Sequence, residues 1–209
     1  MTDIINKEAQ HLHRLILFSD AVFAIAITLL AIEIHPPTGW HGDVPSFFHL
    51  MAHKLAAYAV SFATIGVLWI SHRRMFSRLL KADGVLDVLN FLMLGLVALL
   101  PLGTELLWEV HNASPLLIYI GLVALIGVSQ GLIWGYAALV GKLSEPMGLG
   151  TRLFVLARVT LLPGLFCGLT FLSIGTNTPW GFIAIGVISI ALSLVGRRLQ
   201  SSTRAEAAA

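Results

Sequence analysis

Charge is scarce in this chain: Asp, Glu, Lys and Arg together make up 11% of its 209 residues, against 57% hydrophobic residues. Mean hydropathy is +0.87, outside the range of ordinary soluble domains, so most readings as a soluble enzyme fall away at once. There is a single cysteine, Cys167, in an apolar run, which excludes an intramolecular disulfide and a cysteine metal cluster and leaves a small buried hydrophobe. No HExxH, phosphate-binding loop, or Ser or Cys nucleophile beside a base occurs, so no enzyme activity and no cofactor are expected. His11 with His13, and His49 with His53, sit at exposed ends, where solvated imidazole is the ordinary state, and no metal site is expected. Also missing is the Thr-Val-Gly-Tyr-Gly carbonyl loop of conventional potassium filters. No polybasic surface with interleaved aromatics is present for nucleic acid.

What the chain does have is apolar length. About 20 apolar residues cross a bilayer, and six segments qualify: 15–34, 50–71, 86–107, 115–140, 153–174 and 179–196. The expected fold is an all-α integral membrane protein with a transmembrane domain over 1–200 and a disordered tail over 201–209. The polar start and long first apolar run argue against a cleavable signal, so the first helix is expected to stay. Pro101 and Pro163 are expected to kink the third and fifth helices.

Basic residues cluster at alternate ends. Arg73 to Lys81 carries four, Lys142 and Arg152 two more, and Arg197, Arg198 and Arg204 follow the last segment, while 36–46, 105–114 and 175–179 hold no Lys or Arg. By the positive-inside rule both termini are cytoplasmic. Lys54 and Arg158 lie inside helix ends and are expected to snorkel to the interface.

The first helix organises the rest. At 3.6 residues per turn, Phe18, Ile25, Leu29 and Ile32 share one stripe with Thr28 on its flank, while Asp20, Phe23, Ile27 and Leu30 point the other way. An acid in hydrocarbon costs several kcal/mol, so Asp20 must face protein or a water path. Ser19 and Asp20 lie at the depth of Trp69 and His72 in the second helix and of Asp87 and Asn90 in the third. Two readings of these groups stand: an interhelical hydrogen-bond network and a proton relay. Two also stand for the stripe: packing against lipid or protein, and a constriction formed by symmetric copies around an axis.

The residues then resemble a known family. Arg14-xxx-Phe18-Ser19-Asp20, the run Val22-Phe23-Ala24-Ile25-Ala26-Ile27-Thr28-Leu29-Leu30, and Glu33-Ile34 resemble the first-helix signature of the prokaryotic relatives of lysosomal transmembrane protein 175, a potassium channel family. The likeness continues through Ser61-Phe62, Ile65, Trp69 and His72, then Asn90, Leu99-Leu100-Pro101 and Thr104. It implies a homotetramer in a prokaryotic plasma membrane, with first helices lining a central pore that passes potassium ions. It further implies a pore constriction at Ile25, Leu29 and Ile32, a selectivity hydroxyl on Thr28, and a structural polar network of Arg14, Ser19, Asp20, Trp69, His72 and Asn90. For Arg14 the stripe phase leaves the inner pore mouth open as the other position. Ile32 stands where Leu is common and Ala31 where Val is common, which keeps the ring apolar and alters its width. The competing functions are a proton-coupled or secondary cation transporter using Asp20 and His72, and a non-conducting membrane scaffold.

Overall fold

A computed structural model of the chain describes residues 2–38, 40–109 and 114–175. Among them there is no β-strand, and one isolated antiparallel bridge joins Leu79 to Ser144. Six α-helices follow one another: α1 over Thr2–Ile32, α2 over Val44–Phe76, α3 over Gly84–Ala98, α4 over Leu100–Glu109, α5 over Ser114–Gly135 and α6 over Leu149–Gly175. Because α3 and α4 form one broken span, five stretches among the described residues are long and apolar enough to cross a membrane. The segment 179–196 and the tail 201–209 lie outside the described residues.

The boundaries depart from the apolar runs for local reasons. The first helix begins at Thr2 rather than 15, because its polar first turns are helical too and a hydropathy window cannot register them. It ends at Ile32, leaving Glu33 and Ile34 beyond it. The second starts at Val44 rather than 50, where Asp43 caps it by accepting the Ser46 N–H at 3.0 Å and a proline occupies the first turn. Hydrogen bonds from Ser46 hold the Asp43 carboxyl below its usual carboxylate range. This helix also runs five residues past 71, to Phe76, so His72 is not in its last turn.

The third span is divided at Leu99. Pro101 has no N–H for the Val97 carbonyl, and the break falls where that bond is lost. Pro163, by contrast, stays inside a continuous α6. The fourth span ends in a π-helical turn over Tyr136–Val140, closed by the Gly141 N–H on the Tyr136 carbonyl at 2.8 Å. That turn brings the Tyr136 hydroxyl to Asp83, which accepts it at 2.6 Å while also capping α3 through the Leu86 N–H.

In lipid there is little hydrophobic drive between helices, so close approach and interhelical hydrogen bonds decide the packing. The closest approach is between α5 and α6. A Cβ on Gly127 would stand 2.6 Å from the Thr160 carbonyl oxygen, and one on Gly131 would collide with the Thr160 hydroxyl. The small residues at i and i+4 thus let one backbone lie against the other. Helix α5 also packs on α3 and α4, while α1 packs on α2, α3 and α4 from the other side. Gln130, fully buried, ties α5 to α2 by donating to the Leu68 carbonyl at 3.0 Å. The Thr104 hydroxyl of α4 lies 2.8 Å from both the Leu100 carbonyl and the Ser61 hydroxyl of α2, so with its one hydrogen on Leu100 it accepts from Ser61.

The glycine contact generates a stability prediction. Gly127→Ala should lower stability by about 1–3 kcal/mol through overpacking, whereas Gly121→Ala, which meets open space, should not. Melting temperatures of the two variants in detergent check it.

Candidate functional site

Two faces of α1 have opposite surroundings. Phe23, Ala26 and Leu30 are each 1% exposed and packed into the core, while Ile25 is 57%, Leu29 37% and Ile32 64% exposed within the single chain. An exposed side-chain ladder therefore runs over about 10 Å of helix on the described structure of the single chain. Phe18, one step before the ladder, stacks on Phe91 of α3 at 6.5 Å between ring centroids. Thr28 is exposed beside the ladder and donates its hydroxyl to the Ile25 carbonyl at 2.8 Å, which leaves the oxygen as an acceptor on that face.

The buried face of α1 is held by polar side chains. Ser19, fully buried, donates its one hydrogen to the Leu15 carbonyl at 2.8 Å and must therefore accept from its next neighbour. That neighbour is the Asn90 amide nitrogen at 2.9 Å. Asn90 then presents its carbonyl oxygen to His72 Nε2 at 2.9 Å, which assigns the His72 proton to Nε2. The imidazole lies between the rings of Phe76, at 4.1 Å, and Phe23, at 5.6 Å. One chain of hydrogen bonds thus joins α1, α3 and α2 in a single layer.

A second bond lies beside it. Trp69 Nε1 donates to the half-buried Asp20 carboxylate at 2.8 Å, and the guanidinium of Arg73 stands 5.1 Å over the Trp69 ring. Ser19, Asp20, Trp69, His72 and Asn90 are brought together in this way, but as two groups, because Asp20 and His72 share no hydrogen bond. Arg14 is not brought in. It is exposed, and it makes no hydrogen bond or ion pair with any of these residues. Asp87, at the same depth in sequence terms, turns instead to His11 of α1, whose Nε2 lies 2.9 Å and 3.1 Å from its two oxygens.

Sequence reasoning passed over two features of the surrounding helices: Gln130 and the glycines that face Thr160. A lone amide inside the apolar run 115–140 was the available signal for Gln130, and glycines four apart were the signal for the close α5–α6 contact. Among the described residues no cluster of His, Cys, Asp and Glu has the arrangement of a metal site.

Comparison with known proteins bears on the same region. Residues 14–101 match the family described as endosomal/lysosomal potassium channel TMEM175. The chain is 34% identical over 145 residues to a Streptomyces collinus protein named a potassium channel, covering 62% of this chain and 66% of that one. It is 37% identical over 134 residues to a Chamaesiphon minutus protein also named a potassium channel, covering 60% and 66%. The match thus spans just under two thirds of these relatives' own length. Over the backbone the likeness is longer: the crystal structure of a lysosomal potassium-selective channel TMEM175 homolog from Chamaesiphon minutus superposes with a TM-score of 0.65 at 28% identity, over 90% of this chain and 98% of that one.

The hydrogen-bond chain can be tested without reference to activity. Asn90→Ala leaves Ser19 and His72 buried without their shared partner and should lower stability by about 1–3 kcal/mol, more than Val88→Ala on the exposed side of α3. Thermal unfolding of the purified variants in detergent reads the difference.

Proposed function

Since the chain belongs to the TMEM175 family, we propose that it is a potassium channel, conducting passively through a central pore lined by the first helices of four copies. The observation that carries this reading is the exposed ladder of Ile25, Leu29 and Ile32 on a helix whose opposite face is buried and hydrogen-bonded. Within the described residues of one chain the ladder stays exposed. Four chains arranged about an axis turn it inward as three stacked apolar rings.

Rings of this kind act by dewetting: a narrow aliphatic passage excludes water and blocks ions when closed, and it conducts when the helices move apart enough to wet it. Thr28 offers an oxygen acceptor beside the constriction for a partly dehydrated potassium ion. Arg14, exposed on the ladder side and without an ion-pair partner among the described residues, fits the inner pore mouth rather than the polar network. Ser19, Asn90, His72, Asp20 and Trp69 serve as the clamp that keeps α1 from rotating. With a sixth span over 179–196, both termini face the cytoplasm of a prokaryotic cell, which agrees with the basic residues following α2. Asp20 and His72 share no direct hydrogen bond: Asp20 accepts from Trp69, and His72 pairs with Asn90.

The test is potassium flux from liposomes holding the purified chain, under a potassium gradient with a proton uncoupler. Flux that needs no second ion is expected for the unmodified protein, with a several-fold rise for Ile25→Asn or Leu29→Asn, since a polar ring holds water in the constriction. Flux that appears only with a proton gradient points to a coupled transporter. Absence of flux in every variant points to a non-conducting scaffold.

A further inference from the structure

Arg158 stands within α6 with apolar residues one turn away on either side, Phe154 and Leu162, and is half-buried beside the core residues Val155 and Val159. A cation held at membrane depth ordinarily has a carboxylate partner. Among the described residues none pairs with it. The ionised side chains that act on Arg158 are two further cations, Arg74 in the last turn of α2 and Arg78 just beyond it.

This gathering of like charge is built by the scaffold. Helix α6 packs on α2. Two backbone hydrogen bonds hold the end of α2 beside the segment that leads into α6: the Leu80 N–H to the Leu143 carbonyl at 2.8 Å, and the Glu145 N–H to the Arg78 carbonyl at 3.0 Å. The Glu145 side chain, though on the neighbouring backbone, is exposed and forms no ion pair with Arg78. Other arginines nearby are occupied: Arg73 lies over Trp69, and Arg152 donates to the Ala138 carbonyl at 2.7 Å. Among the described residues no side chain pairs with the guanidinium groups of Arg74, Arg78 or Arg158.

We propose that Arg74, Arg78 and Arg158 together bind the phosphate of an acidic phospholipid. Guanidinium forks match phosphate oxygens, and three of them supply more donors than water-exposed snorkelling requires. The lipid assignment over a free anion comes from α6 itself. Leu161 and Leu165, one and two turns further along on the same side as Arg158, are 59% and 47% exposed, an apolar track for an acyl chain continuing from the headgroup. The site does not depend on whether the pore conducts.

Native mass spectrometry of the full chain in detergent, with equal amounts of phosphatidylglycerol and phosphatidylcholine added, tests it. Retention of phosphatidylglycerol over phosphatidylcholine is expected, falling roughly fivefold for each arginine replaced by Gln, retained in Arg158→Lys, and unchanged in Lys7→Gln. The Arg74→Gln/Arg78→Gln double variant lies outside the packed core and decides the matter even where Arg158→Gln fails to fold. Equal retention of the two lipids, or unchanged phosphatidylglycerol retention in the double variant, overturns the proposal. So does inorganic phosphate alone raising the melting temperature as much as phosphatidylglycerol does, which would make this a site for a soluble anion.

Discussion

The constraint on which the rest depends is the hydrogen-bond chain Ser19–Asn90–His72, with Trp69 to Asp20 beside it. In water such bonds exchange for solvent at little net gain. In a buried layer among apolar helices an unmade bond costs the full desolvation of its groups, so the arrangement that makes them all is strongly preferred. It sets the rotation of α1. Once Ser19 and Asp20 must face α3 and α2, helical geometry alone turns Ile25, Leu29 and Ile32 to the far side. The polar groups do not touch the ladder, yet they decide which way it points.

Elsewhere the same solvent logic takes a different form. Between α5 and α6 there are few polar bonds, and association comes from backbone proximity at Gly127 and Gly131 against Thr160. Around α2 both devices act, with Gln130 on the Leu68 carbonyl and Thr104 against Ser61. The ends are handled by local chemistry: Asp43 and Asp83 cap α2 and α3, and Tyr136 locks the second cap from the π-helical turn. These contacts make α2 to α6 a firm frame against which α1 is held by one face.

Much of this was readable residue by residue. The stripe and its opposite face followed from 3.6-residue periodicity, and Asp20, Trp69, His72 and Asn90 were candidates for one another because they share a depth. Depth, however, does not say who bonds to whom. The pairing of Asp87 with His11 rather than with its neighbours in depth depends on α1 extending back to Thr2, which no hydropathy window records. The exposed place of Arg14 likewise follows from its own phase on that extended helix. Pro101 announced a distortion, but whether a proline bends a helix or divides it is settled by its neighbours. Pro163 leaves α6 undivided.

By itself the sequence determined the all-helical membrane character, the length of each described span to within a few turns, the two-faced first helix and the family signature, because each rests on composition or on a period along one element. Only the tertiary structure decided the partition of the polar residues into two bonded groups, the glycine contact between α5 and α6, and the convergence of Arg158 on Arg74 and Arg78. Those depend on which helices are neighbours and at what register, a property of three-dimensional packing that no single helix encodes.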